Sequence, residues 1–482
     1  MSYIRSSVSD IRNSANDSRS RMPVTGHRLF IVIAILYLIL SLSYDVVNPL
    51  FEGPDEHHHY FTVEYVAENW ALPSVPQPVK ERGFVPTDAA GYLGQEAAQP
   101  PLYYLITAPL IARFDLSQSK TWTIFNRFAA LGDASVPANQ NGFVHTDIER
   151  WPGGQGHVVA IYLLRHLSTL IGLATIFIIY KTGQLLFPLA PIVPLRAAAL
   201  VAILPQFTFQ HSLVSNDVLI TLWTSLAIYL LVKTDLMTGV RFPISDFRNS
   251  DTGYHPSAIG FYLILGLTIG LAILTKNQGA VLLIFAVGFV LLRGIGRESL
   301  EQILIKEGLI IGPALLIGGW LWVRNVRLYG DWSAANQFVI LAGGPRDATL
   351  LQVLSETPTI WRSFIAVFGW LTVAPPAPTY WIWAAVCLLG LLGLLISAPA
   401  FVIKHIRSPR VNSFSITTPE KLNAPKRDFS PLFSLFSLLS SLPILLFGWL
   451  LAVYLSLLLF MLQTEAAQGR LLFPAILPIA LG

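Results

Sequence analysis

The chain has 482 residues, of which 53% are hydrophobic and 12% are charged, against roughly 25% charged residues in an average soluble domain. This composition excludes an ordinary soluble enzyme and predicts a polytopic membrane protein. The net charge of +4 is small, so it gives no sign of nucleic-acid binding. Cys387 is the single cysteine, so no intrachain disulfide can form.

The first part of the chain predicts a membrane anchor followed by a large loop. Residues 1–28 are polar and rich in serine and arginine, which indicates a disordered cytoplasmic tail. The apolar run 29–47 lacks a following cleavage site, so we expect a retained signal-anchor helix with its N-terminus inside. Residues 48–156 are predicted to form the first extracytoplasmic loop. Its apolar insert, 100–113, is short and bounded by prolines, which favours a surface or re-entrant helix over a span.

The rest of the chain is dominated by apolar runs. Eight further spans are predicted, at about 160–187, 194–213, 216–233, 257–275, 278–293, 307–323, 380–403 and 431–461. Residues 404–430 are predicted to be a basic cytoplasmic linker. The final run, 471–482, has twelve residues, and at about 1.5 Å per residue it cannot cross a roughly 30 Å hydrocarbon core. We therefore expect an incomplete last span in a fragment of a longer protein.

The distribution of basic residues supports this topology. Alternation of the spans puts most lysines and arginines in short cytoplasmic loops, as the positive-inside rule requires. Besides the N-terminal arginines, these are Lys181, Arg196, Lys233, Arg241, Arg248, Arg293, Arg297, Lys306, Lys404, Arg407, Arg410, Lys421, Lys426 and Arg427. The same alternation puts Asp55, Asp217, Lys276, Arg324 and Arg470 outside.

The stretch from Phe51 to Tyr60 is chemically dense, with three carboxylates and three histidines directly after the first span. A helix is predicted from about Pro54 to Trp70, because proline is tolerated in a first helical turn. Asp55 and Glu56 would then lie near the positive end of that helix, which favours their ionised forms. The alternative for this window is a solvated acidic loop with a chance run of histidines.

Several polar groups from distant segments share the predicted outer face. They are Asp217 at the start of the fourth span, Lys276 between the fifth and sixth, Arg324 and Asn325 after the seventh, and Arg470 in the last run. A carboxylate with several fixed cations suits a phosphorylated substrate presented from the bilayer. Each charge taken singly is equally typical of an interfacial anchor, and Asp217 also suits a helix cap.

The motifs follow one another in an informative order. They are Pro54-Asp55-Glu56 with His59-Tyr60, Gln99-Pro100-Pro101-Leu102-Tyr103-Tyr104, Leu204-Pro205-Gln206-Phe207, Ser215-Asn216-Asp217, Leu274-Thr275-Lys276, Arg324-Asn325 with Tyr329-Gly330-Asp331, Phe368-Gly369-Trp370, and Gln468 to Pro474. Over nearly all of residues 29–482 this series resembles the GT-C superfamily of membrane glycosyltransferases. Pro54-Asp55-Glu56 is similar to the Asp-Glu motif of protein O-mannosyltransferases and of the aminoarabinose transferase that modifies lipid A. Gln99 departs from the latter, which has lysine there, so no phosphate contact is implied at that position.

The resemblance implies a fold and an activity. The fold would be an all-α polytopic membrane protein, a GT-C-like helix bundle with juxtamembrane helices in its large first loop. The activity would be transfer of a sugar, with inversion, from a polyprenyl-phosphate-linked donor to an extracytoplasmic hydroxyl of a glycan, lipid or protein. The location would be a bacterial plasma membrane. The resemblance assigns the general base to Asp55.

The other predicted roles follow from the chemistry of the transfer. A phosphate leaving group needs no general acid, so one base and several cations suffice. Glu56 is predicted to be catalytic together with Asp55. Because it would point about 100° from Asp55 on a helix, we expect it to orient or pair. Arg324, Arg470 and Lys276 are the predicted phosphate ligands. The remaining predicted substrate-binding residues are His59, Asp217, Asn325 and Tyr103.

Three alternatives stay open at this point. Asp55 and His59 lie four residues apart on one helix face and, with Asp217, could hold a divalent metal, whereas three consecutive histidines cannot share one ion. The many spans also suit a transporter or lipid flippase, although the charges lie at the outer rim and no internal repeat is visible. A catalytically inactive relative that serves as an assembly subunit is the third interpretation.

Overall fold

The computed structural model describes residues 24–75, 92–151, 154–239, 256–295, 297–407 and 442–481. Every regular element in these ranges is a helix, and strand pairing there is limited to two isolated bridges. The predicted all-α class is therefore confirmed. Residues 1–23 of the predicted tail and 408–430 of the predicted linker lie outside the described residues.

The α-helices of the described ranges are numbered here in chain order. They are α1 Val24–Val47, α2 Glu56–Asn69, α3 Leu102–Ile111, α4 Ser119–Trp122, α5 Gly156–Leu186, α6 Ile192–Ile203, α7 Pro205–Gln210, α8 Asp217–Gly239, α9 Pro256–Ile273, α10 Gln278–Gly294, α11 Leu300–Tyr329, α12 Ala335–Leu341, α13 Leu350–Ser355, α14 Thr357–Ile365, α15 Ala377–Arg407, α16 Leu442–Met461 and α17 Ile476–Leu481. Short 3₁₀ helices cover Gly94–Ala98, Asp147–Glu149 and Gly469–Ala475.

Over the described residues, 6 helices are long and apolar enough to cross a membrane. Their candidate spans are Gly26–Val47, Gly156–Leu186, Asp217–Leu236, Leu300–Tyr329, Ala377–Ile396 and Leu442–Met461. The apolar parts of α6, α9 and α10 are shorter, at 10–17 residues. The chain is thus an integral, multi-pass membrane protein, as its composition predicts.

The predicted span 194–213 is wrong as a single helix. The chain breaks at Leu204, whose backbone is extended, and Pro205 begins the separate helix α7. A proline lacks the N–H that would continue the ladder from α6, but it is well tolerated in the first turn of the next helix. The twelve residues of α6 extend only about 18 Å, less than a hydrocarbon core.

The C-terminal segment lies inside the bundle. Gly469–Ala475 packs against α8, α14 and α16, and Trp449 of α16 donates a hydrogen bond from Nε1 to Pro474 O at 2.8 Å. The side chains of Trp449 and Phe473 are both fully buried. This packing brings Arg470 next to the start of α8, where its Nη1 lies 3.3 Å from Asp217 Oδ2.

The first loop folds into a compact layer with its own hydrophobic core. Phe51, Phe61, Tyr104 and Phe143 are buried in it, as are Glu56 and the three histidines of α2. A solvated acidic loop is therefore not what forms here. The predicted helix from Pro54 begins two residues later, at Glu56, because Asp55 adopts a left-handed conformation at the helix N-terminus.

The ten residues of α3 extend about 15 Å, so we predict that α3 does not cross the membrane. Ser74, after α2, and Arg113, after α3, are exposed. Each can be replaced by cysteine in a protein whose single native cysteine is removed by Cys387→Ser. Both should react with a membrane-impermeant maleimide from the extracytoplasmic side. Arg297→Cys, at a predicted cytoplasmic position, should react only after the membrane is permeabilised. Labelling of Ser74→Cys and Arg113→Cys from opposite sides would contradict the topology.

Candidate active site

Asp55 lies in the turn between α1 and α2, with a left-handed backbone at a φ of 63°. The turn packs tightly on the loop before α8, since a Cβ on Gly53 would lie 2.3 Å from Leu213 Cδ1. A larger residue there would have to displace the buried Leu213 side chain. The Asp55 carboxylate pairs with Arg470 and accepts a hydrogen bond from Gln95 Nε2 at 2.9 Å.

Gly469 lets the chain pass close to α14, which allows Arg470 to reach the turn between α1 and α2. A Cβ on Gly469 would lie 2.1 Å from the backbone nitrogen of Phe364 in α14, so only glycine allows the approach. The Gly469 N–H also donates to Ser363 Oγ at 2.8 Å. The backbone is therefore anchored on α14 immediately before Arg470.

The guanidinium of Arg470 joins segments that are far apart in the sequence. Its Nη2 donates to the Asp55 carboxylate, and its Nη1 lies 3.2 Å from Pro54 O and 3.3 Å from Asp217 Oδ2. Its Nε donates to Gln468 Oε1 at 2.6 Å, and this hydrogen bond further restrains the arginine side chain. A planar fork with several donors suits two carboxylates at once.

Asp217 and Lys276 complete the charged group. Asp217 is the first residue of α8, and its carboxylate pairs with the Lys276 ammonium from the turn between α9 and α10. The backbone N–H of Asp217 donates to Ser215 Oγ at 3.2 Å, so the serine hydroxyl serves the helix start and the aspartate carboxylate faces the cations. Two carboxylates are thus balanced by two cations.

The charges of this group set the protonation of Asp55. Burial raises the pKa of its carboxyl, but the charge of Arg470 and the hydrogen bond from Arg470 outweigh burial and hold the pKa below its ordinary value. Asp55 is therefore ionised at neutral pH. It can accept a proton, although with little driving force while Arg470 contacts it.

Glu56 points away from Asp55, and it was predicted to be catalytic together with Asp55. Its carboxylate accepts two hydrogen bonds at 2.7 Å from the fully buried Arg165 of α5, and a third from the Val214 N–H at 3.0 Å. Arg165 also donates to the carbonyl oxygens of residues 45, 48 and 49. Glu56 therefore holds the backbone around Asp55 and does not line the cavity described below.

Three of the predicted substrate-binding residues also lie away from the charged group. Arg324 donates from Nη2 to Pro73 O at 2.8 Å, and Asn325 donates to Trp332 O at 3.1 Å. Tyr103 is fully buried, with its ring at the edge of Tyr104. None of the three lines the cavity. Sequence position alone placed them at the outer end of the bundle but could not give their side-chain directions.

The three histidines point in different directions, as expected for consecutive helical residues. His58 Nδ1 lies 2.8 Å from Tyr92 O, whereas His59 Nδ1 lies 3.0 Å from Tyr104 Oη, and His59 Nε2 lies 3.4 Å from Ser215 Oγ. Burial lowers the pKa of His59 to about 3, so its imidazole is neutral. His58 and His59 line the cavity.

Glu96 was missed by the sequence analysis. It follows Gln95 in the 3₁₀ helix Gly94–Ala98, where it accepts a hydrogen bond from Tyr104 Oη at 2.7 Å and lies 3.3 Å from His59 Nδ1. Burial and the charge of Asp55 raise its pKa to about 8. The only signal in the sequence was a glutamate three residues before the Gln99-Pro100-Pro101 motif.

The proposed metal ligands are not arranged as a metal site. Within the described ranges, no three histidine, cysteine or carboxylate side chains group closely enough to hold an ion. Asp55 and Asp217 contact Arg470 instead, and His59 is held by Tyr104. These side chains of the described ranges form an ion-pair network.

The charged group forms one end of a cavity of ≈ 1280 Å³. Asp55, Asp217, Lys276 and Arg470 line this end, together with His58, His59, Gln95 and Glu96. Residues of α10, α12 and α16 form an apolar wall that continues to the flank of the bundle, where Ile284 is 74% exposed and Leu459 is 62% exposed. On the opposite side, the first loop and Trp370 form the wall. The cavity therefore connects an exposed apolar flank of the bundle with the charged end.

The model of the family described as Dolichyl-phosphate-mannose-protein mannosyltransferase matches residues 146–322. Over this part the match confirms the resemblance to GT-C glycosyltransferases that the motifs predict. The matched residues include Arg165, Asp217 and Lys276. Asp55 and Arg470 lie outside them. None of the curated proteins compared with the chain matches it.

Two solved structures are similar to this chain over most of its length. One is the oligosaccharyltransferase AglB from Archaeoglobus fulgidus in complex with an inhibitory peptide and a dolichol-phosphate, at 14% identity and a TM-score of 0.46, with 94% of this chain and 50% of that chain covered. The other is ArnT from Cupriavidus metallidurans bound to undecaprenyl phosphate, at 14% identity and a TM-score of 0.45, with 95% of this chain and 59% of that chain covered. The chain spans about half the length of these proteins, and at such scores the likeness by itself says nothing about its function.

The environment of Glu96 predicts a carboxylic acid that stays protonated at neutral pH. Because its pKa is raised to about 8, the acid form should dominate below that pH and be lost above it. Infrared difference spectra of the protein between pH 6.5 and about pH 9.5 should show loss of a protonated carboxyl band. Glu96→Gln should remove that band. A band of equal size in the variant would contradict the assignment.

Proposed function

We propose that the chain is a membrane glycosyltransferase that moves a sugar from a polyprenyl-phosphate-linked donor to an acceptor hydroxyl outside the cytoplasm. The observation that carries this proposal is a single cavity with a lipid-facing apolar wall at one side and Asp55, Lys276 and Arg470 at its end. A ligand with a long apolar chain and an anionic head matches both parts. The acceptor is a glycan, a lipid or a protein.

The apolar wall suits the prenyl chain of the donor. Ile284 of α10 and Leu459 of α16 lie at the flank of the bundle and also line the cavity, so a chain in the bilayer can reach the cavity sideways. The alternative of a transporter would favour ionisable groups at the middle of the spans. Here the charged group lies at helix ends and in turns, which favours chemistry at one face.

The chemistry requires one displacement. The oxygen of the acceptor hydroxyl attacks the anomeric carbon, the bond from that carbon to the phosphate oxygen breaks, and the sugar is transferred with inversion. The electron pair of the broken bond stays on the phosphate, which changes from a diester to a monoester with one more negative charge. The acceptor proton passes to the carboxylate of Asp55, the general base. No general acid is needed, because the phosphate leaves as a stable anion.

Arg470 and Lys276 are the cations that would stabilise the phosphate. Both already face carboxylates, so the donor phosphate has to compete with Asp55 and Asp217 for them. Any shift of Arg470 toward the phosphate removes the interaction that lowers the pKa of Asp55. Binding of the donor would then make Asp55 a stronger base in the complex than in the free protein.

Asp55→Asn tests the proposal most simply, because it removes the proton acceptor and keeps the shape of the side chain. Turnover should fall by about 10²–10⁴-fold, the usual contribution of a general base. The assay is sugar transfer in nanodiscs from undecaprenyl phosphates that carry mannose, glucose, galactose, N-acetylglucosamine or aminoarabinose. A thermal melt of the same samples should show that Asp55→Asn still folds.

Asp147→Asn is the matched control, since the Asp147 side chain is 84% exposed in the same loop and pairs only with Arg150 among the described residues. This control should transfer sugar at the wild-type rate. Wild-type turnover in Asp55→Asn would rule out Asp55 as the base. Absence of transfer by the wild-type protein from all of these donors would count against the proposed function itself.

A further inference from the structure

A second polar cluster lies beside the charged group, and the proposed transfer does not yet use it. Its members are Gln95, Glu96 and His59, which line the cavity, with Tyr104 behind them. Tyr104 Oη lies 2.7 Å from Glu96 Oε2 and 3.0 Å from His59 Nδ1, so the three side chains form one hydrogen-bonded unit. Gln95 connects this unit to Asp55, to which it donates at 2.9 Å.

The backbone that carries Glu96 is held rigidly. Gly94 has a φ of +53°, and a Cβ there would lie 2.5 Å from the His58 ring, so residue 94 must be glycine. The same ring lies 2.8 Å from Tyr92 O through its Nδ1. Helix α12 packs on the 3₁₀ helix from the other side. The Glu96 side chain therefore has few accessible conformations, so it would lose little conformational entropy when it binds a ligand. This favours a role in ligand recognition.

The cluster is uncharged, unlike its neighbours. Glu96 is 3% exposed, and among the described residues no lysine or arginine pairs with it. Its nearest basic neighbour, His59, is neutral. A protonated carboxyl offers both a donor and an acceptor, as do an amide and a neutral imidazole. Such groups bind sugar hydroxyls without requiring a charge on the ligand.

We propose that Glu96, supported by Tyr104 and next to Gln95, binds a hydroxyl of the sugar carried by the polyprenyl-phosphate donor. This inference rests on the proposed function and extends it from the phosphate to the sugar. The sugar is bonded directly to the phosphate, and its anomeric carbon must lie near Asp55 for the proton transfer. Its ring hydroxyls would therefore lie against the cavity wall next to Asp55, which is formed by Gln95 and Glu96. The charged group recognises the phosphate, and the neutral cluster selects the sugar.

The test compares binding of two kinds of probe to the purified protein in nanodiscs. One probe is undecaprenyl phosphate, and the others are undecaprenyl phosphates that carry mannose, glucose, galactose, N-acetylglucosamine or aminoarabinose. The ratio of their dissociation constants gives the affinity that the sugar adds, and the sugar with the largest ratio is used for the variants. Glu96→Leu should lower this ratio about tenfold, because a buried hydroxyl would lose its partner, and should change the affinity for undecaprenyl phosphate little.

Glu96→Gln should lower the ratio less than Glu96→Leu, because the amide keeps both a donor and an acceptor in the same shape. Lys276→Gln should have the opposite pattern, with weaker binding of every probe and an unchanged ratio. Glu307→Gln and Glu307→Leu are the matched controls, since Glu307 is a buried glutamate of α11 that does not line the cavity. Neither control should change the ratio.

The outcomes separate this inference from the proposed function. A Glu96→Leu protein that binds all probes with the wild-type ratio overturns the role of Glu96 and leaves the phosphate site intact. A wild-type protein for which no sugar adds affinity overturns it as well. Failure of undecaprenyl phosphate to bind at all, or binding that does not depend on Lys276, counts against the proposed donor and hence the function.

Discussion

The contact of Arg470 with Asp55 and Asp217 is the interaction on which the rest of the site depends. It joins the turn after α1, the start of α8 and the C-terminal 3₁₀ helix, which are hundreds of residues apart in the sequence. Removing one partner of such a buried group leaves a charge without compensation, which typically costs several kcal/mol. The network therefore determines both where Asp55 points and how strong a base it is. A similar buried pair, Arg165 with Glu56, holds the other side of the same turn.

Most of the fold could be predicted from the sequence, because bilayer-spanning helices need long apolar runs. The bounds of α5, α8, α9 and α10 lie within a few residues of the expected ones at one or both ends, whereas α11 extends well beyond its expected span at both ends. The break before Pro205 was missed, because the apolar run continues through it and hydropathy is insensitive to one missing hydrogen bond. The start of α2 was misplaced because the left-handed conformation of Asp55 depends on its tertiary contacts.

The site was only partly predictable. Order and spacing of the motifs led to Asp55, Asp217, Lys276 and Arg470, and the structure brings these four together. The same motifs led to Arg324, Asn325 and Tyr103, whose side chains contact other partners. The position of a residue along a helix predicts how deep it lies in the bilayer, but not the direction in which its side chain points around the helix axis. Arg165 and Glu96 were overlooked for the opposite reason. Each is a single ionisable residue in an unremarkable segment, and only the packing around it shows what it contacts.

We propose that the end of the cavity binds the phosphate of a lipid-linked donor. The most direct measurement is an electron cryomicroscopy structure of the protein in nanodiscs with undecaprenyl phosphate. We expect phosphate density between Lys276 and Arg470, with the prenyl chain leaving between α10 and α16 and Asp55 released from Arg470. Phosphate bound at Arg324, or a prenyl chain that leaves by another side of the bundle, would rule out this donor site.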